Sequence, residues 1–403
     1  AERTVDGQTE KTIVIKQNTI STTSSDAEGG GVYIESNGTS TLTNCSITGN
    51  TASSTSSTAE GGGVKIYCVR TTTLLSNCNI TDNTASGSSS SGGGVYIESN
   101  GTSTLTNCSI TGNTASASSY VCGSGVYISG GTNTLTNCSI KDNTASSSSK
   151  YAYGSGAYIA SGTNTLTNCS ITGNTASSSF SARGGGVYIG YGTSTLESCS
   201  ITSNTASSSS VAYGGGVYVY GGTNTLLGTM TVTDNTAAGG SNMYFNSDKT
   251  VALSDGNGKT LSTDSNIGVK TKTVPSEGND AQFATSATEE MKACFTPDSD
   301  NHMVSYKDEG LYLSTKPTYS DLYYKKDYFY SDSACTNSTG ITKFSEAVSS
   351  MFSTGTIHML SQYSSTTNEE TTVPAGRNIT VVRDESLKGT SMFSITGGTF
   401  TVN

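Results

Sequence analysis

The segment T-L-T-N-C-S-I-T-G-N-T-A decides the fold of this chain, and it stands unchanged at residues 41–52, 104–115 and 165–176. Copies with a few substitutions occupy residues 74–85, 134–145 and 195–206. The segment recurs about every 30 residues, a period typical of solenoids, in which each unit buries its apolar side chains against the next unit. We therefore expect a stack of similar rungs with an extended outer surface.

An asparagine five residues after each cysteine extends the repeat beyond these six copies, to Asn18, Asn50, Asn83, Asn113, Asn143, Asn174, Asn204 and Asn235. In the two outermost copies, Ile13 and Met230 take the place of the cysteine. We predict that the asparagines form one internal ladder. Each side-chain amide would bond to the neighbouring rung and satisfy backbone groups at a bend.

Within one rung, apolar and polar residues alternate in three short segments, residues 29–34, 39–44 and 45–50, which indicates strands. The predicted fold class is all-β, a right-handed parallel β-helix with three strands in each rung of about 30 residues. The alternation directs one set of side chains inward: Val32, Ile34, Leu42, Cys45 and Ile47. It directs the other set outward: Tyr33, Thr41, Thr43, Ser46 and Thr48.

Two further expectations concern the rest of each rung. The residue before each ladder asparagine is mostly Gly or Asp, as at Gly49, Asp82 and Gly112, which favours a turn with positive φ. The polar run that follows, such as T-A-S-S-S-S at residues 144–149, is expected to leave the coil as a mobile loop.

Six cysteines fall in the inward column: Cys45, Cys78, Cys108, Cys138, Cys169 and Cys199. Stacked strands place their Cα atoms about 4.8 Å apart with parallel side chains, an arrangement that fits a disulfide poorly. We therefore predict a column of buried thiols. Cys294 and Cys335 are better disulfide candidates in an oxidising compartment, and Cys68 and Cys122 receive no role.

The composition favours an extracellular structural protein. Acidic residues exceed basic ones, 31 against 21, and the net charge of −10 argues against nucleic acid or an anionic membrane as partner. No stretch approaches the roughly 18 apolar residues of a membrane-spanning helix. We expect partners among glycans, proteins or other copies of the same assembly, and we expect no cofactor.

The repeat ends near residue 270, which predicts three parts. These are a β-helix over residues 1–270, a connector or cap over residues 271–321, and the start of a second β-helix module over residues 322–403. In the last part, residues 344–351 show helical spacing of apolar residues, which we interpret as a cap over the open end of a coil. Residues 393–395 and 399–402 resemble new rungs.

The repeated motifs G-G-G-V, first at residues 29–32, and I-T-G-N, at residues 47–50, resemble known surface-protein repeats. They are similar to the G-G-A-[ILV] and F-x-x-N repeats of the polymorphic outer-membrane protein family and related adhesin-like β-helix surface proteins. The similarity covers about residues 12 to 270. It implies an extracellular, non-enzymatic adhesin, stalk or fibre component at a cell surface.

Two other functions stay open. A polysaccharide-processing β-helix enzyme needs carboxylates grouped with basic residues. Charged residues between residues 29 and 240 are sparse and form no acidic cluster with a basic partner, and the best pair, Glu35 and Glu98, would stand two rungs apart with Tyr67 between. His302 and His358 are the only histidines and lie far apart in sequence, so a histidine-based catalytic or metal site lacks support. We expect no enzyme activity.

The outward slot of the first strand holds Lys65 and six tyrosines, Tyr33, Tyr96, Tyr127, Tyr158, Tyr188 and Tyr218. Stacked rings can simply stabilise the sheet. Alternatively, they form an aromatic stripe that binds sugar rings or a partner protein. In that case recognition would depend little on salt, because few charges stand nearby.

The second strand predicts an outward threonine array, which is the basis of the third possible function, ice binding. The array comprises Thr41 and Thr43, Thr104 and Thr106, Thr134 and Thr136, and Thr165 and Thr167. Leu74 and Ser76, then Glu197, and then Leu226 and Gly228 interrupt it. A repeat with β-branched strand residues gives the same pattern without any ligand.

Overall fold

The computed structural model describes residues 2–5, 8–11, 13–36, 38–68, 72–276, 278–317, 319–325, 327–331, 335–339, 341–365, 369–371, 378–383, 393–395 and 400–402. The chain divides into two compact units, residues 1–315 and 316–403. The first unit is a parallel β-helix, and this solenoid has about 9 turns. The predicted fold class is confirmed.

Each rung of the coil contributes a first, a second and a third strand, and each strand pairs in parallel with its counterpart in the next rung. In one central rung these are Val95–Ser99, Thr102–Thr106 and Ser109–Thr111. Val95 pairs with Val126, Leu105 with Leu135, and Ile110 with Ile140. Equivalent side chains therefore stack on top of one another along the whole unit.

The first strands are Val32–Ser36, Val64–Cys68, Val95–Ser99, Val126–Ser129, Ala157–Ile159, Val187–Ile189, Val217–Val219 and Met243–Phe245. The second strands are Ser40–Thr43, Thr72–Ser76, Thr102–Thr106, Thr132–Thr136, Thr163–Thr167, Thr193–Glu197, Thr223–Leu227, Val251–Ala252 and Ala281–Thr285. The third strands are Ile13–Lys16, Cys45–Thr48, Asn79–Thr81, Ser109–Thr111, Ser139–Lys141, Ser170–Thr172, Ser200–Thr202 and Thr231–Thr233. Asn266–Thr271 pairs with both a third and a first strand, and Phe295–Pro297 follows it.

The polar run after each ladder asparagine is not a mobile loop, so this prediction was wrong, and the rung contains two strands in addition to the three predicted ones. An outgoing strand and a return strand add to the rung, and both pair with the neighbouring rungs. The outgoing strands are Thr19–Thr22, Thr51–Ser54, Thr144–Ser147, Thr175–Ser178 and Thr205–Ser208. The return strands are Ala27–Glu28, Thr58–Glu60, Tyr151–Tyr153, Ser181–Arg183 and Val211–Tyr213. Thr84–Ser91 and Thr114–Cys122 span both.

We call these outgoing and return strands the flange. Small side chains fill the space between its two layers, so the flange has an apolar interior separate from the core of the coil. Ala145, Ala152, Ala176 and Ala182 are fully buried in one such cluster, and Ala27, Ala52, Ala59 and Ala85 in another. The two layers can pack closely here because the alanine methyl groups need little room.

The inward side chains of the coil form one continuous core, as predicted. Cys45 and Ile47 are buried, and in the next rung Val64, Ile66 and Leu75 are completely buried. Val32, Ile34 and Leu42 in the outermost such rung are partly buried and pack on the same core. The isoleucine and cysteine columns thus supply the apolar contact between rungs that a solenoid requires.

Glycine and aspartate shape the bends. Gly49, Asp82, Gly112 and the residues equivalent to them have φ between 54° and 69°, which confirms the predicted turns. In the G-G-G motif, a Cβ at Gly94 would lie 2.7 Å from the Gly125 carbonyl oxygen and 2.9 Å from Nδ2 of Asn113. The motif therefore lets the backbone pass close to the ladder.

The first unit continues through the segment expected to be a connector. Its end comprises the 3₁₀-helix Glu290–Cys294 and the antiparallel strands His302–Lys307 and Gly310–Thr315. Gly310–Thr315 pairs with Ala281–Thr285. The antiparallel strands Glu2–Val5 and Gln8–Lys11 precede the first rung.

The second unit has its own core of Leu322, Phe329, Phe344, Ile357 and neighbouring residues. Its strands are Tyr319–Lys325, Tyr328–Tyr330, Met351–Met359, Tyr363–Ser365, Glu369–Thr371, Asn378–Arg383, Phe393–Ile395 and Phe400–Val402, with the helix Phe344–Ser349. Parallel pairs join Tyr319–Lys325 to Met351–Met359, Met351–Met359 to Asn378–Arg383, and Tyr363–Ser365 to Phe393–Ile395. These pairs repeat the parallel arrangement of the first unit.

Candidate functional site

The asparagine ladder is the most regular polar feature, and it is structural. Asn113 donates from Nδ2 to Oδ1 of Asn143 at 3.0 Å and to the Ile80 carbonyl oxygen at 2.9 Å. The same bond joins the predicted residues in order from Asn18 to Asn235. The predicted ladder is confirmed, and it continues to Asn242. The sequence analysis missed Asn242 because only seven residues separate it from Asn235.

The column of six cysteines consists of buried free thiols, as predicted. The Sγ atom of Cys108, for example, lies 3.4 Å from the Thr106 carbonyl oxygen and 3.6 Å from that of Leu75. Burial raises the pKa of the Cys45 thiol. These thiols therefore act as core residues.

The cysteines outside the column behave differently from one another. Cys294 was expected to be a disulfide candidate, but it is a buried free thiol in the described structure. Its Sγ lies 3.5 Å from the Ser262 carbonyl oxygen. Cys122 is half-buried beside the tyrosine column, and burial raises its pKa to about 12. The side chain of Cys68 lies outside the described part of the structure.

The tyrosine column occurs in the predicted register. Tyr96 pairs with Tyr127, Tyr127 with Tyr158, and Tyr188 with Tyr218. Adjacent rings stack with centroids 4.6 to 5.5 Å apart. Tyr244 extends the column by one more rung. The aromatic rings therefore form a second stack, outside the coil.

Much of this column is covered, which the sequence analysis did not anticipate. Tyr33 is 41% exposed, but Tyr96, Tyr188 and Tyr218 are buried, and Tyr127 and Tyr158 are half-buried. The return strands of the flange supply the cover. Tyr153 stacks on Tyr188 at 5.1 Å, and Tyr213 stacks on Tyr244 at 4.4 Å. The column thus fills the angle between coil and flange, and we call this packed layer the tyrosine seam.

An ion triad centred on the buried Lys65 occupies the same angle in the first rungs. The Lys65 ammonium contacts the Glu28 carboxylate and lies 2.6 Å from Oε2 of Glu60. Nζ also lies 5.8 Å and 5.2 Å from the ring centres of Tyr33 and Tyr96. Burial lowers the pKa of Lys65, but its hydrogen bonds to the two carboxylates outweigh burial and raise that pKa above its usual value.

This triad contradicts the expectation that no acidic cluster with a basic partner forms. Both glutamates belong to return strands, which lie in the polar runs that were expected to be loops. In addition, Glu28 lies just before residues 29–240, the range considered for charged clusters. The recurrence of A-E before G-G-G, at residues 27–28 and 59–60, was the available signal. Lys65 takes the place of a tyrosine in the column, and its positive charge is paired with these two glutamates.

The remaining predicted carboxylates stand apart. Tyr67 lies between Glu35 and Glu98 in the register, as expected. The Tyr96 hydroxyl donates to Oε2 of Glu98 at 3.0 Å, and the carboxylate of Glu197 pairs with Lys259 at 2.7 Å. Each of these carboxylates therefore has a local partner on the surface of the solenoid.

The threonine array is in register on one sheet, with one correction. Thr104, Thr134 and Thr165 are direct neighbours, and so are Thr106, Thr136 and Thr167. In the rung that starts at Thr223, the outward residues are Thr225 and Leu227, because Leu226 pairs with Leu196 and is buried. The assignment of Leu226 and Gly228 to the outward face was therefore wrong. Glu197 and Leu227 interrupt the array at this end.

An exposed group of aromatic and cationic side chains lies on the flange, and we call it the flange ridge. It consists of Tyr120, Lys150, Tyr151 and Phe180. Arg183 borders it through Tyr153, whose ring lies against both Tyr151 and the Arg183 guanidinium. Ring centres of Tyr120 and Tyr151 lie 5.1 Å apart, and those of Tyr151 and Phe180 lie 5.7 Å apart. Tyr120 is 45% and Phe180 is 50% exposed. Sequence reasoning missed the ridge because it assigned this segment to loops.

The described residues contain no group of three or more His, Cys, Asp or Glu that could hold a metal ion. His302 lies in the first unit and His358 in the second, where its ring stacks on Tyr323 at 4.5 Å. Among the described helices, none is long and apolar enough to cross a membrane.

Comparison with known proteins gives one match. A family model described as a right-handed β-helix region matches residues 4–178 and 124–267, which together exceed half of the chain. The two matches overlap, as expected for a repeat that can be aligned in more than one register. No curated protein and no solved structure gives a significant match.

Proposed function

Since this chain belongs to the family of right-handed β-helix proteins, we propose that it is an extracellular, non-enzymatic structural and adhesive surface protein. In this proposal the coil is a stiff spacer, as in an adhesin, stalk or fibre, and its outer faces contact glycans, proteins or further copies of the assembly. The family's fold occurs both in adhesins and in polysaccharide-processing enzymes, so the choice depends on the side chains.

The observation that carries the proposal is how the solenoid uses its polar groups. The ladder amides bond to one another, and the glutamates contact lysine or tyrosine within the stack. A glycosidase, in contrast, needs two carboxyl groups facing a substrate, one of them able to hold a proton. Polar groups that bond to one another within the stack in this way suit a protein that resists unfolding and presents an outer surface.

The ion triad favours a second candidate, a polysaccharide-processing enzyme. Glu28 and Glu60 are paired carboxylates with a basic partner, which is the type of grouping such chemistry uses. However, Lys65 is 4% exposed and ion-paired to both, so it keeps its proton and makes a poor general base. We therefore regard the triad as a structural contact that takes the place of ring stacking in these rungs.

The test is an assay for depolymerisation of acidic and neutral polysaccharides by purified protein. We expect no cleavage, and we expect Glu35→Gln, Glu98→Gln and Glu60→Gln to behave like the wild type. Cleavage that disappears on Glu60→Gln in a folded variant would favour the enzyme instead. In parallel, beads coated with the protein should be retained on immobilised polysaccharides or matrix proteins, and uncoated beads should not.

Ice binding receives less support. Complete threonine pairs occupy three consecutive rungs, and Leu74 and Ser76 on one side and Glu197 on the other end the run. A thermal-hysteresis measurement on the purified protein would detect the activity directly.

A further inference from the structure

We propose that the flange ridge binds acidic polysaccharide, with the exposed rings against sugar faces and Lys150 and Arg183 against carboxylate or sulfate groups. The inference rests on the proposed adhesive function and names a ligand class and a location for it. The ridge adjoins the tyrosine seam, because the rings of Tyr151 and Tyr153 lie 5.4 Å apart. It differs from the seam in exposure, since Tyr120 and Phe180 are 45% and 50% exposed and the rings of the seam are largely covered.

Charge is the first argument. The protein has a net charge of −10, yet five consecutive flange segments contain no acidic residue: 84–91, 114–122, 144–153, 175–183 and 205–213. Their only charged residues are Lys150 and Arg183. The flange segments before them, residues 19–28 and 51–60, contain Asp26, Glu28 and Glu60 instead. A local cationic site on an acidic protein is complementary to an anionic ligand.

The state of the two cations is the second argument. Within the described residues, neither Lys150 nor Arg183 takes part in an ion pair. Nζ of Lys150 lies 5.3 Å from the ring centre of Tyr120. Cζ of Arg183 lies 5.4 Å and 5.3 Å from the ring centres of Tyr153 and Tyr218, and its buried Nε has no hydrogen-bond partner among the residues that the structure describes. The rings hold both cations in place, and no carboxylate of the described residues neutralises either charge.

The spacing of the rings is the third argument. Tyr120 and Tyr151 stand in register on neighbouring rungs, and Phe180 packs against Tyr151 from the rung beyond. Partly exposed aromatic rings thus occur on three consecutive rungs, with ring centres 5.1 and 5.7 Å apart. A chain of sugar rings can contact such a row at several points, so that weak contacts add up. Buried aromatic area supplies affinity, and the cations supply the preference for acidic sugars.

The experiment measures binding of the full chain to three polymers with one backbone: dextran, carboxymethyl-dextran and dextran sulfate. Using biolayer interferometry at low salt, we expect binding to at least one acidic polymer and at least tenfold weaker binding to dextran. The carboxymethyl and sulfate arms distinguish the two sources of acid groups. Binding should weaken as salt rises, because the cations are exposed to screening.

Variants locate the site. Lys150→Gln combined with Arg183→Gln should weaken acidic-polymer binding at least tenfold, and so should Tyr120→Ser combined with Phe180→Ser. Lys150→Gln alone should still reduce binding several-fold, which covers the case that the Arg183 variant does not fold. The matched controls are Lys141→Gln, an exposed cation on a third strand, and Tyr191→Ser, a ring that is 60% exposed outside the flange. Both controls should bind like the wild type.

Three outcomes would overturn the inference. They are no binding to either acidic polymer, equal losses from Lys141→Gln and Lys150→Gln, and no effect of the aromatic substitutions. If beads coated with the wild type are still retained on other surfaces in the adhesion assay, only the ridge assignment fails. If those beads are retained nowhere, the proposed function fails as well.

Discussion

Single residues stabilise this molecule by repeating the same contact in every rung. In the ladder, Asn113 is completely buried, and its amide group and backbone N–H both bond to Asn143. In the tyrosine seam, Tyr188 stacks on Tyr158 and Tyr218 while Tyr153 covers it. Each contact is modest, but each is made to both neighbouring rungs, so one substitution affects two interfaces.

Replacement of a ladder asparagine should be costly. Asn143→Ala leaves the backbone N–H and the Nδ2 group of Asn113 without their acceptor, and buried donors left unpaired cost about 1–3 kcal/mol each. We expect a loss of about 3 kcal/mol in the free energy of unfolding, measured by denaturant titration. Asn79→Ala, at an exposed strand position, is the control and should change it by less than about 0.5 kcal/mol. Similar losses from both would contradict a structural ladder.

The tyrosine seam predicts loss of stability in alkali. Burial raises the pKa of Tyr127 and of Tyr218 to about 12, whereas an unfolded tyrosine loses its proton near pH 10. Between these values the unfolded state binds fewer protons than the folded state, so stability falls as pH rises from about 10 to 12. The raised pKa of Lys65 acts in the same direction.

The measurement is the melting temperature as a function of pH, with tyrosinate absorbance followed in parallel. Tyr218→Phe should reduce the steepness of the decline above pH 10, and Tyr67→Phe, at an exposed ring, should not. A decline that is identical in both variants would show that the buried rings do not cause it.

At the scale of elements, the flange is a thin sheet sandwich attached to the coil. Thr144–Ser147 and Tyr151–Tyr153 each pair with both neighbouring rungs, and alanine methyl groups separate the two layers. The return strands of the flange cover the tyrosine seam with Tyr153 and carry the ridge beside it, since the rings of Tyr151 and Tyr153 lie 5.4 Å apart. The small side chains of the flange therefore determine both the stability of the seam and the position of the exposed rings.

Enlarging a flange alanine should destabilise the protein. Ala176 is completely buried between the layers, and added methylene groups in a packed interior typically cost about 1–3 kcal/mol. We expect Ala176→Leu to lower the free energy of unfolding by about that amount and to reduce hydrogen-exchange protection of residues 175–183. Ser177→Leu, whose side chain is directed away from the alanine layer, should have little effect. If neither substitution changed the free energy of unfolding, the flange would be a loop and not a packed sheet.

At the scale of the whole molecule, two units with separate cores follow one another in the chain. The core of the first unit extends from Cys45 to Leu313, and that of the second contains residues from Leu322 to Tyr363. The division at residue 315 differs from the three-part division expected from the sequence, because strands of residues 281–315 add to the sheets of the solenoid. Each core should therefore fold without the other.

A fragment of residues 1–315 tests this independence. Because its core cluster contains no residue beyond 315, we expect the fragment to fold and to melt within a few degrees of the first unit in the full chain. Calorimetry of the full chain should resolve a further transition that the fragment lacks. A fragment that is unfolded, or that melts far lower, would show that the second unit supports the first.

The sequence by itself determined the β-helix, its register and the asparagine ladder. Isoleucine, cysteine and asparagine recur at fixed positions in each rung, so the rungs can stack in only one register. A slip of one residue would turn the apolar side chains outward. The flange, the ion triad of Lys65 and the covering of Tyr188 were decided by the tertiary structure. Serine and alanine runs have no strong periodic signal, and they become sheets only when neighbouring rungs offer hydrogen-bond partners and a surface for alanine to pack on. Contacts between columns, such as Glu60 with Lys65 or Tyr153 with Tyr188, depend on how the chain folds back on itself.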